Sequence, residues 1–308
     1  AGKPEAAEAE LRSRGLVYDG VLEAPKGETP EDWEPVELPL FRSSQFGDDQ
    51  DRPIKKSNGA WTYFGADLAY HFQKAQSADA LVDIWGADHA GTVKRIKAAV
   101  AALTSADGAA PKPFEVKLVQ MVQLMKGGQP FKMSKRAGNF VTLADVVREV
   151  GKDVVRFTML TRRSDAQMDF DFAKVVEASK DNPVFYVQYA HARICRMLEK
   201  LAEQGGALDR VAGRAAVGRL VEPVETELLV KLAAYPDIVA RAAEQYEPHQ
   251  LGNYLKELAS LFHGWYNEHK VLGEDAELTQ ARLLLSVSVQ QVVKNGLLLL
   301  GVSAPDSM

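Results

Sequence analysis

Hydrophobic and polar positions change rhythm once along the chain. Up to about residue 142 short apolar runs alternate with segments of helical composition. Residues 5–14 predict a short helix, 15–22 a strand and turn, 66–77 a helix and 80–85 a buried strand ending at Gly86. Residues 91–103 return to helix, and 116–124 alternate as a strand toward Gly127-Gly128. Between them, Pro25, Pro30, Pro35 and Pro39 favour an extended connection, because proline fixes φ and removes a donor. Strand–helix–strand at this spacing predicts part of a parallel α/β sheet. From residue 143 the strand signals stop. Helices are expected over 143–150, 153–161, 183–204, 219–234, 236–245, 248–269 and 277–300. Pro183, Pro236 and Pro248 suit first-turn positions, where a missing N–H costs nothing. The last segment is apolar almost all round, as in the buried member of a bundle. The expected architecture is an α/β portion followed by an all-α one.

Composition narrows the class. At 308 residues, 46% apolar and 26% charged, the chain has the make-up of a folded protein of about two domains. A single cysteine, Cys195, excludes a disulfide framework and a multi-cysteine zinc site, and suits a reducing, cytoplasmic setting. No apolar run approaches the ~18–20 residues of a membrane span. The first ten residues carry no secretory pattern, so no membrane partner is expected.

The net charge of −5 argues at first against nucleic acid, but it is unevenly spread. Residues 1–50 carry net −7, residues 51–200 net +7 and residues 201–308 net −5. A basic middle between acidic ends suits a centrally bound anion, although on charge alone random clustering accounts for it equally well.

The strongest candidate chemistry lies in that middle. Gln129-Pro130-Phe131-Lys132-Met133-Ser134-Lys135-Arg136-Ala137-Gly138-Asn139 places three cations within five residues, after a Gly-Gly turn and before a further glycine. Paired lysines on a glycine-flanked loop can reach a polyphosphate as mobile point charges and steady a leaving group. A Lys-x-x-Lys alone is more often a solvated basic loop. Here Lys132-Met133-Ser134-Lys135, with Gly138-Asn139 following, resembles the second signature of class I aminoacyl-tRNA synthetases.

Further segments resemble one branch of that class, the arginyl-tRNA synthetases. They are Phe41-Arg42-Ser43, Phe46-Gly47-Asp48-Asp49, Asp51-Arg52-Pro53, Lys55-Lys56-Ser57, residues 62–71 (Thr-Tyr-Phe-Gly-Ala-Asp-Leu-Ala-Tyr-His), Trp85-Gly86-Ala87-Asp88-His89 and residues 186–193 (Tyr-Val-Gln-Tyr-Ala-His-Ala-Arg). The resemblance runs nearly end to end. It implies the C-terminal half of an incomplete, Rossmann-type class I catalytic domain over 1–142, a helical connection over 143–180 and an α-helical anticodon-binding bundle over 181–308.

The same resemblance supplies site roles. Lys132 and Lys135 would be catalytic, and Lys132, Met133, Ser134, Lys135, Gly86 and His89 would bind ATP with its Mg2+. Tyr63, Asp67 and His89 would line the arginine pocket, although some relatives carry glutamine at the His89 position. Physically, Tyr63 and Asp67 sit four apart at a helix start, so a carboxylate and an aromatic wall share one face and suit a guanidinium. Without the resemblance, Asp67 reads more readily as a helix-start carboxylate complementing the helix dipole.

In the helix after Pro183, Val184, Val187, His191, Ile194, Leu198 and Leu201 form the core stripe, with Cys195 beside it as packing. Tyr186, Tyr189, Arg193, Arg196 and Lys200 follow 3,4 spacing on another face, which by itself reads more often as a solvated amphipathic face with snorkelling tyrosines than as one where rings stack bases and cations meet phosphates. The resemblance makes Tyr186, Tyr189, Arg193, Tyr266 and the terminal Met308 tRNA-binding. Ser307 departs from the basic residue the family tends to keep before that methionine.

The expected function is therefore ATP-dependent ligation of L-arginine to tRNA(Arg), with no protein-bound metal and a monomeric full-length protein. None of His71, His89, His191, His249, His263 and His269 has the spacing of the first class I signature, His-x-Gly-His. The isolated chain is thus expected to have little activity, and a non-catalytic tRNA-binding module is the alternative. A cysteinyl-type enzyme is disfavoured, because one cysteine cannot build its zinc site.

Overall fold

A computed structural model describes residues 2–22, 36–105, 109–131, 141–177 and 182–308. The chain divides into two compact units, Ala1–Met121 and Val122–Met308.

In the first unit, α1 (Lys3–Ser13) buries Ala7 and Leu11. Its Glu8, also buried, receives ion pairs from Arg12 and Lys55. Strands β1 (Val17–Val21), β2 (Glu37–Phe41) and β3 (Arg52–Pro53) form an antiparallel sheet in that order, with Val17 opposite Phe41. Helix α2 (Tyr63–Ser77) starts where the Thr62 hydroxyl accepts from the Gly65 N–H at 3.0 Å, an ordinary N-cap. Gly65 is required there, because a Cβ would lie 2.3 Å from the Ile54 carbonyl oxygen. Then β4 (Leu81–Gly86), α3 (Val93–Thr104) and β5 (Phe114–Val119) give the expected strand–helix–strand, with β4 and β5 parallel and Leu81 opposite Phe114. Phe41, Ile54, Leu68, Leu81, Ile96 and Val100 anchor the core of this unit. Along β4 the side chains alternate. Leu81 and Asp83 are buried, whereas Val82 and Ile84 are exposed, Ile84 at 73%. The sheet of β4 and β5 has two strands among the described residues, so it is partial, as expected.

The second unit opens with β6 (Val122–Lys126) and β7 (Gln129–Pro130), an antiparallel hairpin. The expected single strand over 116–124 is thus two strands, β5 and β6, separated at Gln120-Met121. Helices α4 (Leu143–Val150) and α5 (Lys152–Leu160) follow, and then β8 (Met168–Asp171), which pairs parallel to β6 with Val122 opposite Met168. This strand corrects the expectation that strands cease at residue 143. Four residues of Met-Asp-Phe-Asp are too few to carry a period-2 signal. Phe170 and Phe172 pack with Val146, Val150 and Val155 beneath this small sheet.

The helical bundle comprises α6 (Pro183–Glu203), α7 (Arg210–Ala215), α8 (Pro223–Ala233), α9 (Tyr235–Glu244), α10 (His249–Glu268) and α11 (Ala276–Leu299). The helix expected from residue 219 begins at Pro223, and the short α7 gave no signal of its own. Val184, Val187, His191 and Ile194 are buried as anticipated. Met197 completes the stripe, while Leu198 and Leu201 are only half-buried. Helix α11 buries Leu283, Leu285, Val289, Val293 and Leu297 but exposes Gln291, Lys294, Asn295, Leu298 and Leu299, which corrects the expectation of a helix apolar almost all round. One ion pair lies inside: Arg282 Nε donates to Glu225 Oε1 at 2.8 Å, and Trp265 Nε1 donates to the same oxygen at 3.3 Å.

Candidate functional site

The candidate residues form three groups along the chain. In the first unit, Tyr63 is the first residue of α2 and 90% exposed, with Asp67 one turn further along. Partial burial raises the Asp67 carboxyl above its ordinary value; His71 and His89 oppose this, and Asp83 adds to it. His71, also on α2, is buried. Its Nδ1 donates to the Asp67 carbonyl oxygen at 2.7 Å, and its Nε2 meets Asp83 Oδ2 at 2.8 Å. Lys74 pairs with the other Asp83 oxygen. Burial works against the Asp83 charge, but the Lys74 and His71 hydrogen bonds outweigh it and hold that carboxyl below its usual range.

At the end of β4, Gly86 enters the short 3-10 segment Ala87–Thr92. A Cβ on Gly86 would stand 2.5 Å from Asp88 Oδ1, so no larger residue fits without shifting that carboxylate. His89 is exposed, 3.7 Å from Asp88 Oδ2 and edge-on to the Trp85 ring at 6.5 Å. Asp67 and His89 both reach the surface. A carboxylate one helical turn from an exposed tyrosine can receive a guanidinium in paired hydrogen bonds.

Lys132, Met133, Ser134 and Lys135 lie outside the described residues. The segments on either side of them are described. Gly127 and Gly128 form the β6–β7 turn with φ of 59° and 78°, values that favour glycine. The Asp171 carboxylate clamps this turn, accepting from Gly128 N at 2.7 Å, Gly127 N at 3.1 Å and Ala173 N at 3.0 Å. The Gly128 bond is the largest of the effects that hold the Asp171 carboxyl below its ordinary value. On the other side, Thr142 and Asp145 close a capping box at the start of α4. Hydrogen bonds from Thr142, with Arg148 adding to them, lower the Asp145 carboxyl to about 2.

The third group sits on the bundle. Arg193 lies over the Tyr189 ring at 4.7 Å and the Tyr266 ring at 5.1 Å, so helices α6 and α10 cage its guanidinium between aromatic faces. It donates to Tyr189 Oη at 3.3 Å, Asn267 Oδ1 at 3.2 Å and His263 Nδ1 at 3.1 Å. The Tyr186 ring packs on the His263 ring at 4.5 Å. Tyr189, Arg193, Arg196, Lys200, Tyr266 and the terminal Asp306-Ser307-Met308 line one cavity of about 550 Å³. Of the residues expected to bind tRNA, Tyr189, Arg193, Tyr266 and Met308 therefore line one cavity, and Tyr186 is connected to them through His263. The sequence offered no signal for His263 or Asn267, whose partners lie about 70 residues away, nor for Asp171.

Among the described residues, His191, Cys195 and Asp306 alone bring three metal-ligating atoms within 4.8 Å of one another. The surroundings do not suit an ion. His191 Nδ1 is committed to the Pro305 carbonyl oxygen at 3.1 Å, and burial pushes the Cys195 thiol up. No helix among the described residues is long and apolar enough to cross a membrane.

Comparison with known proteins gives these sites a context. Residues 64–173 match the family of class I tRNA synthetases (I, L, M and V), and residues 187–308 match the DALR anticodon binding domain. The arginine–tRNA ligase of Novosphingobium aromaticivorans is 68% identical over the whole of this chain, which covers 53% of that protein. The arginine–tRNA ligase of Acinetobacter baumannii is 58% identical over 87% of this chain and 44% of its own length. The chain thus spans about half the length of the curated relatives it matches. A solved structure from Campylobacter jejuni, described provisionally as an arginyl-tRNA synthetase, superposes with a TM-score of 0.81 at 32% identity, covering all of this chain and 62% of the other. Thermus thermophilus arginyl-tRNA synthetase shares the fold, with a TM-score of 0.76 at 21% identity over all of this chain and 58% of the other. The chain combines part of the class I synthetase fold with a DALR anticodon-binding domain, and its kinship in sequence is with arginyl-tRNA synthetases.

Proposed function

We propose that this chain serves the ATP-dependent ligation of L-arginine to tRNA(Arg). The observation that carries the reading is the 68% identity, over the whole chain, to an arginine–tRNA ligase. In the first step the arginine carboxylate attacks the α-phosphorus of ATP, forming arginyl-adenylate and releasing pyrophosphate. In the second, a hydroxyl at the tRNA 3′ end attacks the activated carbonyl and AMP leaves.

Asp67 takes the guanidinium of the substrate in paired, charge-assisted hydrogen bonds, and Tyr63 offers it a ring. Gly86 and His89 border the adenylate, with glycine letting the backbone approach closely. Lys132 and Lys135, with Met133 and Ser134 between them, hold the triphosphate and stabilise charge on the departing pyrophosphate. Mg2+ arrives with the nucleotide and neutralises its phosphates. On the bundle, Tyr186, Tyr189, Arg193, Tyr266 and Met308 bind tRNA through stacking and a caged cation. The protein acts in this reading as a cytoplasmic monomer, in domains divided at residues 142 and 180.

The test uses the protein at the full length of its relatives. Lys132→Ala with Lys135→Ala should lower ATP–pyrophosphate exchange by 100-fold or more, on the order of removing a principal transition-state stabiliser. tRNA affinity should stay within a factor of two. Unaltered exchange would remove the loop from the chemistry, and tRNA binding with no exchange even in the unsubstituted protein would favour a binding module.

A further inference from the structure

We propose that His263 is a positioning residue, a neutral imidazole that aims the Arg193 guanidinium at a nucleotide acceptor. This rests on the reading that the α6–α10 face binds tRNA.

The direction of each hydrogen bond follows from what its partner can do. His263 Nε2 lies 3.1 Å from the Tyr186 carbonyl oxygen, which can only accept, so Nε2 carries the hydrogen. Nδ1 lies 3.1 Å from Arg193 Nη1, and a guanidinium can only donate, so Nδ1 presents its lone pair. One form of the ring satisfies both partners: the neutral Nε2–H tautomer. A second ring proton would set N–H against N–H and place two cations in contact.

The surroundings enforce this form. His263 is 4% exposed, its ring 4.5 Å from that of Tyr186 and 5.4 Å from that of Tyr189, the latter pair nearly parallel at 22°. The imidazole can neither turn away nor reach water easily. Burial, with Arg193 adding to it, also lowers the readiness of the ring to protonate.

The consequence falls on Arg193. Of the five guanidinium donors, one meets His263, one Asn267 and one Tyr189, which leaves two for a ligand. With the ring faces of Tyr189 and Tyr266 over it, the cation has little freedom left. It is set before the ligand arrives, so little side-chain ordering remains to be done on binding.

The test measures binding of a tRNA(Arg) transcript to the protein at the full length of its relatives, at fixed pH and salt. Arg193→Ala should weaken binding about ten-fold, the scale of losing a charge-assisted contact. His263→Phe keeps a ring but removes Nδ1, and should weaken binding several-fold. The double variant should bind no worse than Arg193→Ala alone, within a factor of two, because both changes remove one aimed cation. A phosphate ligand would also lower the salt slope by about 1 in Arg193→Ala, and a base edge would leave it unchanged. Independently of any variant, the imidazole 15N shifts of His263 at pH 7 should report the neutral Nε2–H tautomer. Additive losses, an unaffected His263→Phe, or an Nδ1–H or doubly protonated ring would each overturn the role of His263. Unchanged binding by Arg193→Ala would instead overturn the tRNA-face reading itself.

Discussion

The buried imidazole of His71 meets the Asp83 carboxylate at 2.8 Å and so ties α2 to β4. Its other nitrogen is held by the backbone oxygen of Asp67, so the residue that would face arginine is anchored from beneath. His71→Phe should destabilise the fold by about 1–3 kcal/mol, the range for leaving a buried charged partner short of a bond. Thermal unfolding reads the loss directly, and an unchanged midpoint would show that Lys74 alone suffices for Asp83.

Asp171→Ala releases the Gly127–Gly128 turn from its clamp. The amides of these two glycines should then exchange with solvent at least ten-fold faster, while the α10 and α11 amides keep their protection. The Asp171 carboxyl is lowered in the folded state, so its contribution is present above the ordinary value of 3.8. That contribution fades as pH falls through the lower folded value. Unaltered exchange at Gly127 and Gly128 would show that the turn holds its shape without the carboxylate.

Glu225 and Arg282 form an enclosed ion pair, with Glu225 fully buried. Removing one partner strands the other charge, so Glu225→Leu or Arg282→Met alone should cost about 3–5 kcal/mol. Glu225→Leu with Arg282→Met should cost less than either single change. A denaturant series on the four proteins measures the coupling, and additive losses would argue that the two charges act separately.

Much of the bundle was legible because its signals are local. Pro183 marks a helix start, and the spacing of Tyr186, Tyr189 and Arg193 places rings and a cation on one face of α6. Tyr63 and Asp67 could be paired for the same reason, being one turn apart on α2. What escaped depends on partners distant in sequence. β8 is four residues long and becomes a strand by pairing with β6, 46 residues earlier in register. Asp171 gains its role from glycines more than 40 positions away, and His263 from Arg193 at a separation of 70. In neither case does the flanking sequence encode the contact.

His263 also predicts a pH dependence of stability. The folded state lowers its pKa from 6.5, chiefly through burial, so the unfolded chain binds the proton more readily. Stability should therefore fall as pH drops below about 6.5. The groups facing the ring are the Arg193 cation and the Tyr186 and Tyr189 rings, none of which supplies a compensating negative charge there. Unfolding between pH 5 and 8 should show a smaller slope for His263→Phe than for the parent, and equal slopes would assign the effect to other groups.

Arginine-dependent ATP–pyrophosphate exchange, in the protein at the full length of its relatives, asks most directly whether Asp67 selects the substrate. Exchange should be supported by L-arginine and not by L-lysine. Asp67→Asn should raise the KM for arginine about ten-fold or more, the scale of one lost charge-assisted bond, and leave the KM for ATP within a factor of two. Exchange driven equally by another amino acid, or an arginine KM untouched by Asp67→Asn, would mean that this carboxylate does not recognise arginine.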